Sequence, residues 1–233
     1  SVSGLMGITG EVGGGPVRIG APIADFSSGL FALSGVLAAL HVRDQHPEGQ
    51  HIKIAMLEAA LNMMSNYIPS VSSLGYKVPR LGRGHAQIVP YQAFPCEDGQ
   101  YIMVGAFTSG FWRSFAKAIG HEEWISDERF ATNAARLANR DLLCGLIEDI
   151  IMQYPCSHWL KVLEDADVPC SPVLELHDAV KSEQVVHNQS LMPIGEPGKQ
   201  YAVARSPIRV DAWELDPPKP APTLGRDTAS VLG

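Results

Sequence analysis

The sequence predicts an α/β fold whose first part is built on a parallel sheet. Three observations carry that reading. A short apolar, partly β-branched run at 17–24 (VRIGAPIA) is followed at once by apolar residues at helical spacing. An alternating run at His51–Met56 leads into a second apolar helical pattern. Strand, helix, strand, helix in that order is the pattern of parallel strands covered by helices.

Taken in order, 17–24 reads as a buried strand. Phe26, Leu30, Leu33, Leu37 and Leu40 then alternate spacings of four and three, a helix stripe. Small residues (Ser27, Ser28, Gly29, Ala32, Ser34, Gly35) interleave with it and would admit another backbone closely. Asp25 falls where an N-cap belongs. His46-Pro47-Glu48-Gly49 makes a turn, His51–Met56 alternates as a strand, and a second helix is expected from Leu57 to about Ile68. Composition changes near Ser70. The stretch 70–90, rich in Ser, Gly, Pro and Arg, reads as a linker carrying a functional loop, LGRGHAQ.

Tyr91–Phe94, the turn Cys96-Glu97-Asp98-Gly99 and Tyr101–Val104 predict a β-hairpin. Helices are expected at about 109–119, 139–153 and 156–166. A hairpin followed by helices marks 74–146 as a candidate α+β insert. The tail 196–222 is proline-rich, which excludes helix from most of it. Pro217-Pro218-Lys219-Pro220 is expected as an extended surface segment.

Composition bounds the function. The 233 residues carry 18 Lys and Arg against 25 Asp and Glu, a net charge of -7. That balance, without clustered cations, argues against a nucleic-acid partner. Hydrophobic residues at 45% are enough for a core, and charged residues at 18% fall below the ~25% usual for soluble domains. A large buried fraction or a large subunit interface follows. The chain starts at Ser1 rather than Met and shows no charged n-region, so SVSGLMGITGEVGGGP reads as the interior of a domain rather than a signal peptide. The apolar stretch Phe26–Val42 is shorter than the ~20 residues a span requires, so no membrane partner is expected. Cys96, Cys144, Cys156 and Cys170 lack CxxC spacing, which points to reduced thiols, a cytoplasmic location and no metal.

Several motifs fail. GEVGGGP (10–16) lacks the Gly-Lys-Ser/Thr ending of a phosphate loop and reads as a hairpin turn. His41, His46 and His51 are spaced by five, not at the helical i, i+4 of a zinc pair. No Gly-x-Ser-x-Gly occurs. Asp25 remains. Read from pattern alone it is either an ordinary cap or a carboxylate nucleophile at a strand-to-helix junction. In the second case the helix N-terminus would keep it ionised, and free amides could stabilise an oxyanion.

The segments SVSGLMGITGE, GPVRIGAPIADFSSGLFALSGVLAAL and GQHIKIAMLEAALNMM resemble the middle of the class III CoA-transferases. This is the formyl-CoA and carnitine CoA-transferase family, which also contains the α-methylacyl-CoA racemases. RLGRGHAQIVPYQAF, EDGQYIMVGA, DERFATNAARLANRDLL, DVPCSPVLEL and APTLGRDTASVLG continue the likeness over essentially the whole chain.

The resemblance implies an acyl-CoA:carboxylate CoA-transferase with Asp25 as acyl acceptor, passing through an aspartyl anhydride and an aspartyl-CoA thioester. It places Met56 against coenzyme A and makes Gly82, Gly84 and His85 the loop over the substrate. It implies no permanently bound cofactor, since coenzyme A arrives as the thioester substrate with a small carboxylic acid as partner. The implied fold is a Rossmann-like large domain with a small inserted α+β domain, in an interlocked homodimer. The chain then divides into 1–73 (central part of the large domain), 74–146 (small domain) and 147–233 (return to the large domain). The family's N-terminal half, with the coenzyme A phosphate contacts and the residues that separate transferases from racemases, would lie upstream of Ser1 or on a partner chain. Two alternatives remain open. In one, Asp25 is the general base of a 2-methylacyl-CoA racemase, for which Asp25-Phe26 speaks. In the other, the chain is a non-catalytic subunit of the same fold.

Overall fold

A computed structural model describes residues 2–195, 200–210 and 219–232. The chain separates into two compact units, Ser1–Pro172 and Val173–Gly233. Both mix helices with antiparallel strands.

In the first unit, helix α1 spans Ile23–His41. It starts three residues earlier than the cap reading required. Pro22 is its N-cap, and the Pro22 carbonyl accepts from Phe26 N–H at 3.1 Å. Asp25 is therefore the third helical residue and not the cap. A proline without an N–H loses nothing at a helix start, and its fixed φ directs the chain into the first turn. At 19 residues, α1 is long and apolar enough to cross a membrane by length and composition, so the expectation that this stretch is too short does not hold.

Helix α2 spans Met56–Asn62 and packs on α1. Helix α3 spans Ile68–Leu74. One helix was expected from Leu57 to Ile68; turns at 63–67 divide it, and α3 occupies part of the expected linker. Pro69 explains both differences. It cannot donate to the carbonyl four residues back and its ring crowds that carbonyl, yet it suits a new first turn. Gly75, with φ +63°, ends α3 in the left-handed conformation that favours glycine.

The parallel sheet is not found. Residues 17–19 and 51–55 form no strand among the described residues, and the sheet of this unit is antiparallel. Apolar alternation marks an extended segment, but a strand also needs a ladder partner. Strands β1 (Tyr91–Pro95) and β2 (Tyr101–Gly105) form the expected hairpin, with Phe94 opposite Ile102. Strand β3 (Cys170–Pro172) pairs with β2, Val104 lying opposite Cys170.

Helices α4 (Ser109–Ala118), α6 (Arg140–Ile151) and α7 (Cys156–Asp165) match the three expected, and the short α5 spans Asn133–Ala138. One continuous core joins them to the sheet: Phe94, Ile102 and Val104 meet Trp112 and Phe115, Leu143, Ile147 and Ile151, and Trp159 and Leu163. Each such side chain contributes about 1.5–3 kcal/mol on burial. Asp98 in the hairpin turn also accepts from the Cys156 amide at 3.1 Å and so fastens the start of α7 to the hairpin.

In the second unit, α8 (Leu176–Ala179) and α9 (Glu183–His187) precede the antiparallel pair β4 (Leu191–Ile194) and β5 (Tyr201–Ala204). Helix α10 spans Thr228–Leu232. Pro217 and Pro218 of the expected extended segment lie outside the described residues.

Candidate active site

The sequence around Asp25 folds as it does because GAP stops one conformation and IADFSSGL starts another. Ile23 N–H bonds back to Ala21 at 2.9 Å, and the Ser28 hydroxyl bonds the Ala24 carbonyl at 2.7 Å. The amides of Ala24 and Asp25 have no acceptor among the described residues, as expected for the first turn of a helix. They carry the positive end of the α1 dipole. Asp25 is exposed and makes no hydrogen bond or ion pair among the described residues.

Asp25 lines a cleft of about 200 Å³. Its walls are the start of α1 and the segment from Ser3 to Ile19. That segment is fixed in three places. Thr9 Oγ1 donates to Leu5 O at 2.8 Å, Val17 N–H donates to Thr9 O at 2.9 Å, and Arg80 donates to Gly7 O at 3.1 Å and Gly14 O at 3.0 Å. The Thr9–Val17 bond closes GEVGGGP into the expected turn, although no strand flanks it.

The structure does not bring the other predicted residues into this cleft. Met56 is the first residue of α2 and is exposed. Gly82, Gly84 and His85 form a tightly bonded loop. Gly82 has φ +55°, and its amide donates to Gly10 O at 2.9 Å. Gly84 bridges to Gln92. The His85 ring stacks on Tyr91 with centroids 5.0 Å apart.

Three residues that position this loop escaped the sequence reading. Arg140 donates to the carbonyls of His85 (2.7 Å) and Ala86 (3.3 Å). Asn133 donates to Gln87 O at 2.8 Å and accepts from Val89 N–H at 3.2 Å. Arg136, buried, donates to Val89 O at 2.5 Å and Phe130 O at 2.9 Å, and lies 4.6 Å over the Trp112 ring. Burial pushes the Arg136 guanidinium down to about 10. A signal existed: Asn133, Arg136 and Arg140 recur at spacings of three and four, one polar stripe in NAARLANR.

Among the described residues no group of three or more His, Cys, Asp or Glu is placed to hold a metal. The four thiols are free.

Comparison with known proteins agrees with the sequence motifs. A family model described as CoA-transferase family III matches residues 1–228. The chain is 32% identical to succinyl-CoA:glutarate CoA-transferase of Homo sapiens over 100% of its length and 53% of that protein. It is 27% identical to acetyl-CoA:oxalate CoA-transferase of Acetobacter aceti, over 99% of this chain and 59% of that one. The crystal structure of a CAIB/BAIF family protein from Brucella suis superposes with a TM-score of 0.81 at 30% identity, covering 99% of this chain and 60% of that one. The chain thus spans a little over half the length of the relatives it matches. Taken over nearly all of its residues, the chain belongs to CoA-transferase family III.

Proposed function

We propose that the protein containing this chain transfers coenzyme A between an acyl-CoA and a small carboxylic acid, with Asp25 as acyl acceptor. The observation that carries the proposal is the position of Asp25: an exposed carboxylate in the first turn of a 19-residue helix, lining a cleft. The names of relatives such as succinyl-CoA:glutarate and acetyl-CoA:oxalate CoA-transferase, each a thioester and an acid, support the reaction class.

The chemistry runs in balanced steps. An Asp25 oxygen attacks the thioester carbonyl carbon, the C–S bond breaks, and the thiolate leaves; the product is an aspartyl anhydride. The thiolate then attacks the Asp25 acyl carbon, releasing the donor acid and leaving an aspartyl-CoA thioester. The acceptor carboxylate attacks that thioester and again expels the thiolate. Attack of the thiolate on the acceptor's acyl carbon gives the new acyl-CoA and frees Asp25. Each tetrahedral centre carries an oxyanion, and the unbonded amides of Ala24 and Asp25 supply donors beside it.

The rest of the reading follows the family. Met56 meets coenzyme A, and the Gly82–His85 loop covers the substrate. A Rossmann-like large domain and an interlocked dimer, or a partner chain with the missing half, complete the site. The apolar stripe of α1 supports such a partner surface: Phe26, Leu30 and Leu37 are each more than half exposed. The free thiols support a reducing compartment, the cytoplasm.

The test is chemical trapping. The intact protein is incubated with succinyl-CoA, quenched with hydroxylamine, and mapped by mass spectrometry. A hydroxamate at Asp25 is expected. Proton exchange at the α-carbon of a 2-methylacyl-CoA without any adduct would instead identify a racemase with Asp25 as base, and neither signal would identify a non-catalytic subunit.

A further inference from the structure

We infer that Arg18 selects dicarboxylic acids in the Asp25 cleft, holding the remote carboxylate while the near one exchanges at Asp25. The inference rests on the reading of Asp25 as acyl acceptor and adds the residue that reads the acid.

Arg18 and Asp25 are the cleft's two charged wall residues. They form no ion pair with each other, and Arg18 has no hydrogen bond or ion pair among the described residues. The other arginines of this region are committed. Arg80 serves Gly7 and Gly14, Arg136 serves Val89 and Phe130, and Arg140 serves His85 and Ala86. Arg18 alone among these keeps its full fork of donors for a ligand. A planar guanidinium binds a carboxylate through two parallel hydrogen bonds, which a point charge cannot reproduce.

The remaining wall suits the spacer between two carboxylates. Leu5, Ile19 and Ile23 line it with aliphatic surface. Its volume of about 200 Å³ lies below the roughly 300–1,000 Å³ of pockets that enclose drug-sized ligands. A short-chain acid fits such a cleft. Electrostatics favour the same arrangement. An acid approaching Asp25 brings one anion toward another, and a second carboxylate adds to that repulsion. A cation lining the same cleft offsets it. The Val17–Thr9 bond anchors the chain one residue before Arg18.

The experiment uses the intact protein as wild type, Arg18→Gln and Arg18→Lys. Binding of succinate and of butyrate is followed by ligand-detected NMR, and Asp25 is trapped in parallel with succinyl-CoA and hydroxylamine. Losing one charge-assisted bidentate contact lowers affinity by about ten- to a hundredfold. That loss is expected for succinate in Arg18→Gln, with partial recovery in Arg18→Lys and butyrate changed less than about twofold. Equal losses for both acids, unchanged succinate binding, or a wild type that does not prefer succinate each overturns the inference. An intact succinate preference without an Asp25 hydroxamate leaves the Arg18 site standing and removes the transferase reading instead.

Discussion

The Gly82 amide donates to the Gly10 carbonyl across 2.9 Å. Through that bond the loop 82–89 is seated on the segment that walls the Asp25 cleft. Arg80 strengthens the same seat from the other side by bonding Gly7 and Gly14. Far along the chain, Asn133, Arg136 and Arg140 hold the loop's other end. The cleft and the α+β core are thus joined mechanically without sharing a side chain.

Asp25→Asn should preserve the fold. Asp25 is not the cap and holds no hydrogen bond among the described residues, so only its interaction with the helix dipole is lost, about 0.3–1 kcal/mol. Transfer should fall by about a thousandfold or more, as for removal of a covalent nucleophile. Thermal melting and coenzyme A exchange in the intact protein measure both. A melting shift that accounts for the lost activity would point to structure rather than chemistry.

Gly82→Ala should weaken the loop. A Cβ at φ +55° costs roughly 1–2 kcal/mol, and it would meet Glu11 Oε2 at 2.6 Å. Glu11 is a side chain and can yield, so the backbone cost remains as the main loss. Hydrogen exchange at residues 80–88 should quicken, while protection in α6 and α7 stays unchanged. Uniform protection across all of these would contradict the seat described above.

Arg136→Met keeps the bulk of the side chain and removes its donors. The buried carbonyls of Val89 and Phe130 then lose a partner, and the fold should lose about 2–4 kcal/mol. Arg136→Lys should recover little of it, because one ammonium does not reproduce a fork over the Trp112 ring. Denaturant titration of both variants distinguishes this from a simple charge effect, in which Lys would restore stability.

Stability should decline above pH 9. Burial pushes the Cys96 thiol up to about 12, with the Cys156 thiol beside it adding to the shift, and burial pushes Cys144 up to about 11. Between the ordinary thiol value of 9.0 and these values, the unfolded chain loses protons that the folded chain keeps. Their stabilisation is complete below pH 9 and fades by about 1.4 kcal/mol per pH unit for each thiol. Melting temperatures from pH 8 to 11 should fall less steeply for Cys96→Ala with Cys144→Ala than for wild type. Parallel curves would remove thiol burial as the cause.

The α1 stripe should be an assembly surface. Leu33 and Leu37 lie on one exposed face of α1. Replacing both with Asp should leave the α+β core folded but reduce association by tenfold or more, since charge buried without a partner is costly at an interface. Sedimentation of the intact protein across a dilution series reads the change. An unaltered distribution of species would show that the stripe faces something other than a protein.

The local elements were legible from the residues alone. The hairpin 91–105 and helices α4, α6 and α7 follow from periodicity and turn residues, because neighbours in sequence decide those conformations. Family membership was equally legible, since motif order survives in the chain. Tertiary structure alone decided the rest. It left 17–19 and 51–55 outside any strand among the described residues, because a ladder depends on a partner that periodicity does not name. It moved Asp25 from the cap to the third residue of α1, because Pro22 takes the boundary. It also brought Arg18 into the Asp25 cleft and gave Asn133, Arg136 and Arg140 to the 82–89 loop. Those placements depend on where separate segments meet in space, and no local pattern encodes that.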